Sequence, residues 1–247
     1  MLRERFNICY EFDREEVVRR IDSTLSEGGA GFVAVADGNV LQRVHRDPEY
    51  RATVRGAMFS ICDSGWVPVF LKRIHGEDVE QYCGSRIFDD LTRAGRYRQM
   101  FLGTSEETLS ALKANLVGID PKIAGMTFLP LPFRAVEEFD YESIAQIVND
   151  DRPDIIWVAL GAPKQEMFME RLKPWLDRGV MIGVGAVFNF RSGTGERRAP
   201  AWMVRARLEW LYRIFASPRK QIARCWRIIT AYPAIIREES RRRDCTE

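Results

Sequence analysis

Apolar and polar positions along the chain alternate between two rhythms. FDREEVVRRIDSTLSEGG carries the spacing of an amphipathic helix and stops at glycine, and GFVAVADGN follows as a buried strand ending in a turn. The sequence then predicts a helix containing PEYRATVRGA, the strand MFSICDSG, the helix GSRIFDDLTRAG and the strand YRQMFLGTS. SEETLSALKANLVG reads as a helix whose Ser105 opens a capping box. TFLPLPF is a weaker strand, followed by the helix YESIAQIVNDD, the strand DIIWVALG, the helix KQEMFMERLKPWLD and the strand VMIGVGAVFNF. Apolar, β-branched strands separated by helices indicate βαβ units, hence an α/β fold with a parallel sheet and helices on both faces. From about Ala199 the pattern becomes continuous helix with tryptophans and arginines. The expected organisation is a core domain over residues 1–195 and a helical, Arg/Trp-rich appendage over 196–247.

Composition narrows the class. The 247 residues, 46% apolar and 29% charged, suit a soluble globular protein with a substantial core. A net charge of +2 makes no case for nucleic acid, but its distribution is uneven. From Arg205 onward there are eleven Lys or Arg against five Asp or Glu, so the appendage is basic and the remainder mildly acidic. That asymmetry points to an anionic partner, either phosphate groups or an acidic membrane surface. Five scattered cysteines without a CxxC pair, and only two histidines, argue for free thiols in a reducing cytoplasm and against a zinc site. MLRERFNICYEF lacks the apolar core of a signal peptide, and no run of about 18 apolar residues is long enough to span a bilayer as a helix. The expected location is therefore cytoplasmic.

In an open parallel sheet, ligands bind beyond the carboxyl ends of the strands. The polar residues there are Asp37 and Asn39, Asp63 and Ser64, Gly103 to Ser105, Gly161 to Glu166, and Asn189. Asp37-Gly38-Asn39 reads equally as a turn or as a ligand contact. Asp63, after the apolar MFSIC and before Ser64-Gly65, is either a general base for an incoming hydroxyl or a helix N-cap. Gly103, Thr104 and Ser105 offer backbone N–H groups to a phosphate or simply cap a helix. Neither GxGxxG nor GxxxxGK[ST] occurs, so dinucleotide and Walker-type phosphate loops are unsupported. RSGTGERRAP holds Arg197 and Arg198 in a glycine-rich loop, either a diphosphate clamp or a solvated turn. The C-terminal run packs its apolar face as core, lies at a membrane interface, or does both.

Taken together, GAPKQE after a strand, GVGAVFNF downstream, RRAPAWM and LEWLYRIFASPRK form a recognisable series. With D-x-N…RDPEYR, CDSGWVP and EQYCGSRIFDDL upstream, the chain from about residue 30 to 228 resembles the WecG/TagA/CpsF bacterial glycosyltransferases. The resemblance implies a Rossmann-like core and inverting transfer from a UDP-sugar to a polyprenyl-diphosphate-linked acceptor at the anionic inner surface of the cytoplasmic membrane. Such enzymes build teichoic acid, common antigen, capsule or exopolysaccharide, and the best-known members transfer N-acetylmannosamine or its uronic acid. The family's proposed base falls on Asp63, and its appendage is thought to complete the site and bind membrane. Three departures bear on the donor. P-D-G reads Cys62-Asp63-Ser64, the asparagine and glutamate positions of T-x-N-x-E hold Asp37 and Asn39, and F-D-F reads Phe188-Asn189-Phe190.

The implied mechanism has Asp63 accept the acceptor hydroxyl's proton while UDP leaves. No cofactor and no metal is expected, since Asp89-Asp90 falls inside a predicted helix. Arg197, Arg198, Arg213 and Arg219, with helix N-termini, would stabilise the diphosphate. Gln165 and Glu166 would contact the nucleotide or donor sugar, and Gly103 to Ser105 the nucleotide. The rival readings are a nucleotide-binding module without catalysis and a membrane-tethered scaffold. Oligomeric state is left open, a homo-oligomer included.

Overall fold

A computed structural model of the chain describes residues 2–194, 200, 202, 203, 209–216 and 218–244. The strands are β1 (Arg3–Arg5), β2 (Ile8–Tyr10), β3 (Ala30–Ala36), β4 (Phe59–Cys62), β5 (Gln99–Gly103), β6 (Thr127–Leu129), β7 (Ile155–Ala159) and β8 (Gly179–Gly183). They form one sheet in the order β1-β2-β4-β3-β8-β7-β5-β6, antiparallel only between β1 and β2. This is the Rossmann-like α/β architecture, with an antiparallel hairpin added to one edge.

Because successive strand residues face opposite sides, β3 supplies two cores at once. Val33 and Val35 pack with α1 (Arg14–Ser26), α5 (Gly84–Arg93), α6 (Glu106–Val117) and α9 (Val187–Ser192). Phe32, Ala34 and Ala36 pack with α2 (Gly38–Arg46), α3 (Pro48–Arg55), α4 (Val67–His75), α7 (Tyr141–Asp151) and α8 (Lys164–Leu172). Further along the chain lie α10 (Glu209–Ala216) and α11 (Pro218–Asp244), and Ala231 and Ile235 of α11 join the second core. No described helix is long and apolar enough to cross a membrane.

One predicted strand is shorter than its pattern. VMIGVGAVFNF is a strand only to Gly183; Gly185 turns the chain at φ +52°, and Val187–Ser192 is helical. The alternation of small and aromatic residues is met by helical packing instead. Phe188 is fully buried, 6.1 Å from the Phe88 ring and 6.0 Å from the Phe101 ring.

The α11 helix lies across α2 and α4, and Gly38 permits the approach. A Cβ on Gly38 would stand 2.9 Å from the Tyr232 hydroxyl and 3.1 Å from Ile228 Cγ2. The Tyr232 ring meets Phe70 of α4 edge-on at 5.1 Å. Two consecutive glutamates then fasten the far end of the helix. Glu238 Oε2 lies 2.8 Å from His45 Nδ1, and Glu239 Oε1 lies 3.0 Å from His75 Nε2, so both histidines of the chain face this helix. The same glutamates hold the β1–β2 turn, in which Phe6 (φ +54°) and Asn7 (φ +63°) are both left-handed. The Phe6 N–H donates to Glu239 Oε2 at 2.7 Å, and Asn7 Nδ2 donates to Glu238 Oε1 at 2.9 Å. A two-residue turn of this kind ordinarily takes Asn-Gly or Asp-Gly; here contacts from the other end of the chain hold a phenylalanine in it.

Glu239 is only 2% exposed, so its removal strands a buried N–H and a histidine. Glu239→Ala is expected to lower the unfolding free energy by about 2 kcal/mol and to speed amide exchange at residues 6–8. An unchanged denaturant midpoint would show that the helix is not fastened there.

Candidate active site

The site begins where two neighbouring strands run out. Ala36 and Cys62 are paired in the β3–β4 ladder, and the N–H of Asp63 extends it by donating to the Ala36 carbonyl at 3.1 Å. Asp37 and Asp63 therefore leave the sheet side by side at its carboxyl edge. The two carboxylates are held differently. Asp37 Oδ1 caps α2, accepting from the N–H groups of Asn39 (2.8 Å) and Val40 (2.9 Å), while Oδ2 forms an ion pair with Arg224 of α11. Asp63 caps no helix of its own segment, since the N-cap of α4 is Trp66 and no side chain makes a cap hydrogen bond there. Its Oδ1 instead accepts the N–H of Gly84, the first residue of α5, at 2.8 Å, and Gln81 Nε2 donates to its carbonyl at 2.6 Å. The positive end of the α5 dipole is thereby set against the Asp63 carboxylate.

Above these residues, between the sheet edge and α11, is a groove of about 770 Å³. Asp37, Asp63 and Ser64 line it, and Trp66, Phe70, Ile228 and Tyr232 supply apolar wall. Burial pushes the Tyr232 phenol up to about 12, partly offset by its hydrogen bond with Ser64. Burial, with the charge of Asp63 added, also keeps the Cys62 thiol protonated beneath the site. The outer face of α11 continues the apolar surface: Ile222, Trp226 and Ile229 are 55%, 69% and 54% exposed on successive turns, and exposed Arg237 and Arg241 lie further along the helix.

A second cluster lies behind the edge, at the ends of β7 and β8. Gln165 bridges the two strand-end loops, with Oε1 accepting the Gly161 N–H at 3.1 Å and Nε2 donating to the Gly183 carbonyl at 3.2 Å. Gln165 Nε2 also donates to Glu166 Oε1 at 2.9 Å, and the Tyr50 hydroxyl donates to Glu166 Oε2 at 3.0 Å. Glu166 has no exposed surface and Gln165 only 4%, so this polar pair faces protein groups and not solvent. Asn39 belongs to the same cluster, 3.4 Å from the Ala162 carbonyl.

Gly103 to Ser105 and Asn189 are not among the described residues that line the groove. Gly103, at φ +114°, leaves no room for a side chain, because a Cβ would stand 2.8 Å from the Ala159 carbonyl oxygen. Thr104 turns the chain at φ +58°, and Ser105 caps α6 by accepting the Thr108 N–H at 3.3 Å. Asn189 sits within α9 and not at a strand end. Arg197 and Arg198, and the side chains of Arg213 and Arg219, lie outside the described residues. Asp89 and Asp90 are inside α5, paired with Arg191 and Arg14. Among the described residues no cluster of His, Cys, Asp or Glu is arranged for a metal ion. The sequence reading missed Arg224, Gln81 and Gly84. Gln81 and Gly84 do lie in EQYCGSRIFDDL, but their contacts with Asp63, like that of Arg224 with Asp37, join separate segments and leave no local pattern.

Burial raises the Glu166 carboxyl from the ordinary 4.5 to about 7, although its hydrogen bonds with Gln165 and Tyr50 oppose the shift. The unfolded chain therefore loses this proton first as pH rises. Stability is fully present below about pH 4.5 and falls by roughly 3 kcal/mol as pH passes 7. Glu166→Gln is expected to gain on the wild type over that window in denaturant unfolding. A stability difference independent of pH would mean that Glu166 is ionised throughout.

The family model described as "Glycosyl transferase WecG/TagA/CpsF family" matches residues 7–245. The chain is 26% identical over 227 residues to the N-acetylglucosaminyldiphosphoundecaprenol N-acetyl-beta-D-mannosaminyltransferase of Bacillus spizizenii, covering 89% of this chain and 82% of that protein. It is 25% identical over 207 residues to the enzyme of the same name in Bacillus subtilis, covering 80% and 76% respectively. The match extends from the β1–β2 turn to the end of α11, across both carboxylates at the sheet edge, and the chain belongs to the WecG/TagA/CpsF family of glycosyltransferases.

Proposed function

We propose that this protein transfers an N-acetylhexosamine from a UDP-sugar to a sugar hydroxyl of a polyprenyl-diphosphate-linked acceptor, with inversion at the anomeric carbon. The observation that carries the reading is Asp63, a carboxylate on the groove whose Oδ1 is fixed by the Gly84 N–H. The relatives' names supply the first candidates, N-acetylmannosamine as the sugar and N-acetylglucosaminyl-diphosphoundecaprenol as the acceptor. In the reaction Asp63 takes the proton of the attacking hydroxyl. The hydroxyl oxygen forms the new bond to the anomeric carbon, the bond to the diphosphate oxygen breaks, and UDP leaves with the electron pair. One carboxylate acting as base, with no covalent intermediate, gives single displacement and hence inversion.

The second cluster positions. Gln165, backed by Glu166 and Tyr50, fixes the loops after β7 and β8, so Gly161 and its neighbours present a set backbone to the donor. Gly103 to Ser105 and Asn189 are further donor-side contacts in this reading. Arg197, Arg198, Arg213 and Arg219 remain the diphosphate contacts expected from the basic tail, and neither metal nor cofactor is invoked. The apolar stripe Ile222, Trp226, Ile229, with Arg237 and Arg241 beyond it, suits a peripheral seat on an anionic bilayer. Such a seat brings the groove to the depth at which a lipid-linked diphosphate lies.

Asp63→Asn keeps the oxygen that the Gly84 N–H needs, so the fold is expected to survive. Transfer is expected to fall by about 10²–10⁴-fold with UDP affinity within about twofold of wild type; turnover within tenfold of wild type would remove Asp63 as the base. UDP release should be screened across UDP-sugars with a polyprenyl-diphosphate-linked N-acetylglucosamine acceptor. For the membrane seat, Trp226→Ser with Ile229→Ser should reduce sedimentation with vesicles containing anionic phospholipid at unchanged thermal midpoint. Equal sedimentation of variant and wild type would place the contact elsewhere.

A further inference from the structure

An ion pair between Asp37 and Arg224 joins the N-cap of α2 to the C-terminal helix inside the groove. We propose that Asp37 is a resident counter-ion, which occupies Arg224 until the phosphate groups of a nucleotide diphosphate displace it. The proposal rests on the transferase reading only for the identity of that ligand.

Three observations carry it. Both partners line the groove beside Asp63, so the pair stands where a ligand would enter and is not buried behind the site. The two oxygens of Asp37 have separate tasks: Oδ1 accepts both α2 N–H groups, and only Oδ2 meets Arg224. Releasing the arginine therefore leaves the helix cap intact, and Asp37 keeps two donors when it gives up the third partner. The local charge also requires an exchange. Two carboxylates from neighbouring strand ends, Asp37 and Asp63, line the groove with Arg224, and Arg237 lines it further along α11. While Arg224 is held by Asp37, its charge is already engaged when an anion arrives. A guanidinium has five N–H donors in a planar fork and matches two phosphate oxygens better than the single carboxylate oxygen that it meets here. Phosphate wins the exchange, and its negative charge is then held beside the base by an arginine that is otherwise occupied.

The exchange separates affinity from folding in a way that one substitution can read. Asn caps a helix as well as Asp does, so Asp37→Asn keeps the α2 N-terminus and removes only the competing charge. In calorimetric titrations of the full chain with inorganic pyrophosphate and with UDP, Asp37→Asn is expected to bind about two- to tenfold more tightly than wild type. Arg224→Ala is expected to lose about tenfold or more, and Asp37→Asn made in that background is expected to change nothing further. Unchanged or weakened binding by Asp37→Asn would overturn the exchange and leave Asp37 as a residue that orients Arg224. A gain that persists without Arg224 would overturn it equally, as a general relief of charge. Pyrophosphate affinity tests the exchange, and UDP-sugar turnover tests the transferase reading. A gain with pyrophosphate in a protein that consumes no UDP-sugar would support the first and remove the second. Wild-type protein that binds neither ligand would overturn the exchange.

Discussion

A single backbone hydrogen bond, from the N–H of Asp63 to the carbonyl of Ala36, carries the β3–β4 ladder one rung beyond its last paired residues. It matters because two carboxylates follow at once. Like charges placed together repel, and the sheet leaves them no freedom to part, so each has to be stabilised by groups from elsewhere. Asp37 is answered by the N-terminus of α2 and by Arg224; Asp63 is answered by the N-terminus of α5 through Gly84. Those answers draw in the rest of the architecture. The segment before α5 has to return to the end of β4, and the C-terminal helix has to cross the sheet edge.

That crossing has its own requirements. Gly38 lets α11 approach α2, Tyr232 and Phe70 fill the contact, and Glu238 and Glu239 fasten the far end to His45, His75 and the turn at Phe6-Asn7. The first and last segments of the chain thus support one another at one side of the sheet. The groove is what remains between a helix held at both ends and a sheet edge carrying acids. Under the proposed transfer this division of labour suits the chemistry. One wall supplies a base on rigid backbone, and the other supplies cations and an apolar face for a lipid-linked substrate.

Much of this was legible in the sequence because strand ends announce themselves. An apolar run that stops at a polar residue and a glycine, as at FSICDSG and VAVADGN, identifies a carboxyl edge, and a parallel sheet gathers such edges on one side. The failures have physical causes. GVGAVFNF has the two-residue period of a strand, yet Gly185 redirects the chain and Phe188 finds its place on a helix among other rings. The β1–β2 hairpin lacks the usual turn residues because its left-handed Phe6 and Asn7 are held by glutamates more than 230 positions away. The sequence assigns Gln165 and Glu166 to the nucleotide or donor sugar, but it gives no sign that Tyr50 reaches Glu166 from 116 positions away and that both side chains are buried. Arg224 is one arginine among many in a basic tail, and only its meeting with Asp37, 187 positions distant, distinguishes it.

The central claim is that Asp63, on the edge shared by β3 and β4, faces the acceptor across the groove beneath α11. A crystal structure with UDP and a soluble diphosphate-linked N-acetylglucosamine fragment tests it most directly. The account predicts an acceptor hydroxyl within about 3.2 Å of an Asp63 carboxylate oxygen, with the diphosphate of UDP at the same end of the groove. An acceptor seated on the opposite face of the sheet, or in the groove with every hydroxyl turned away from Asp63, would contradict it.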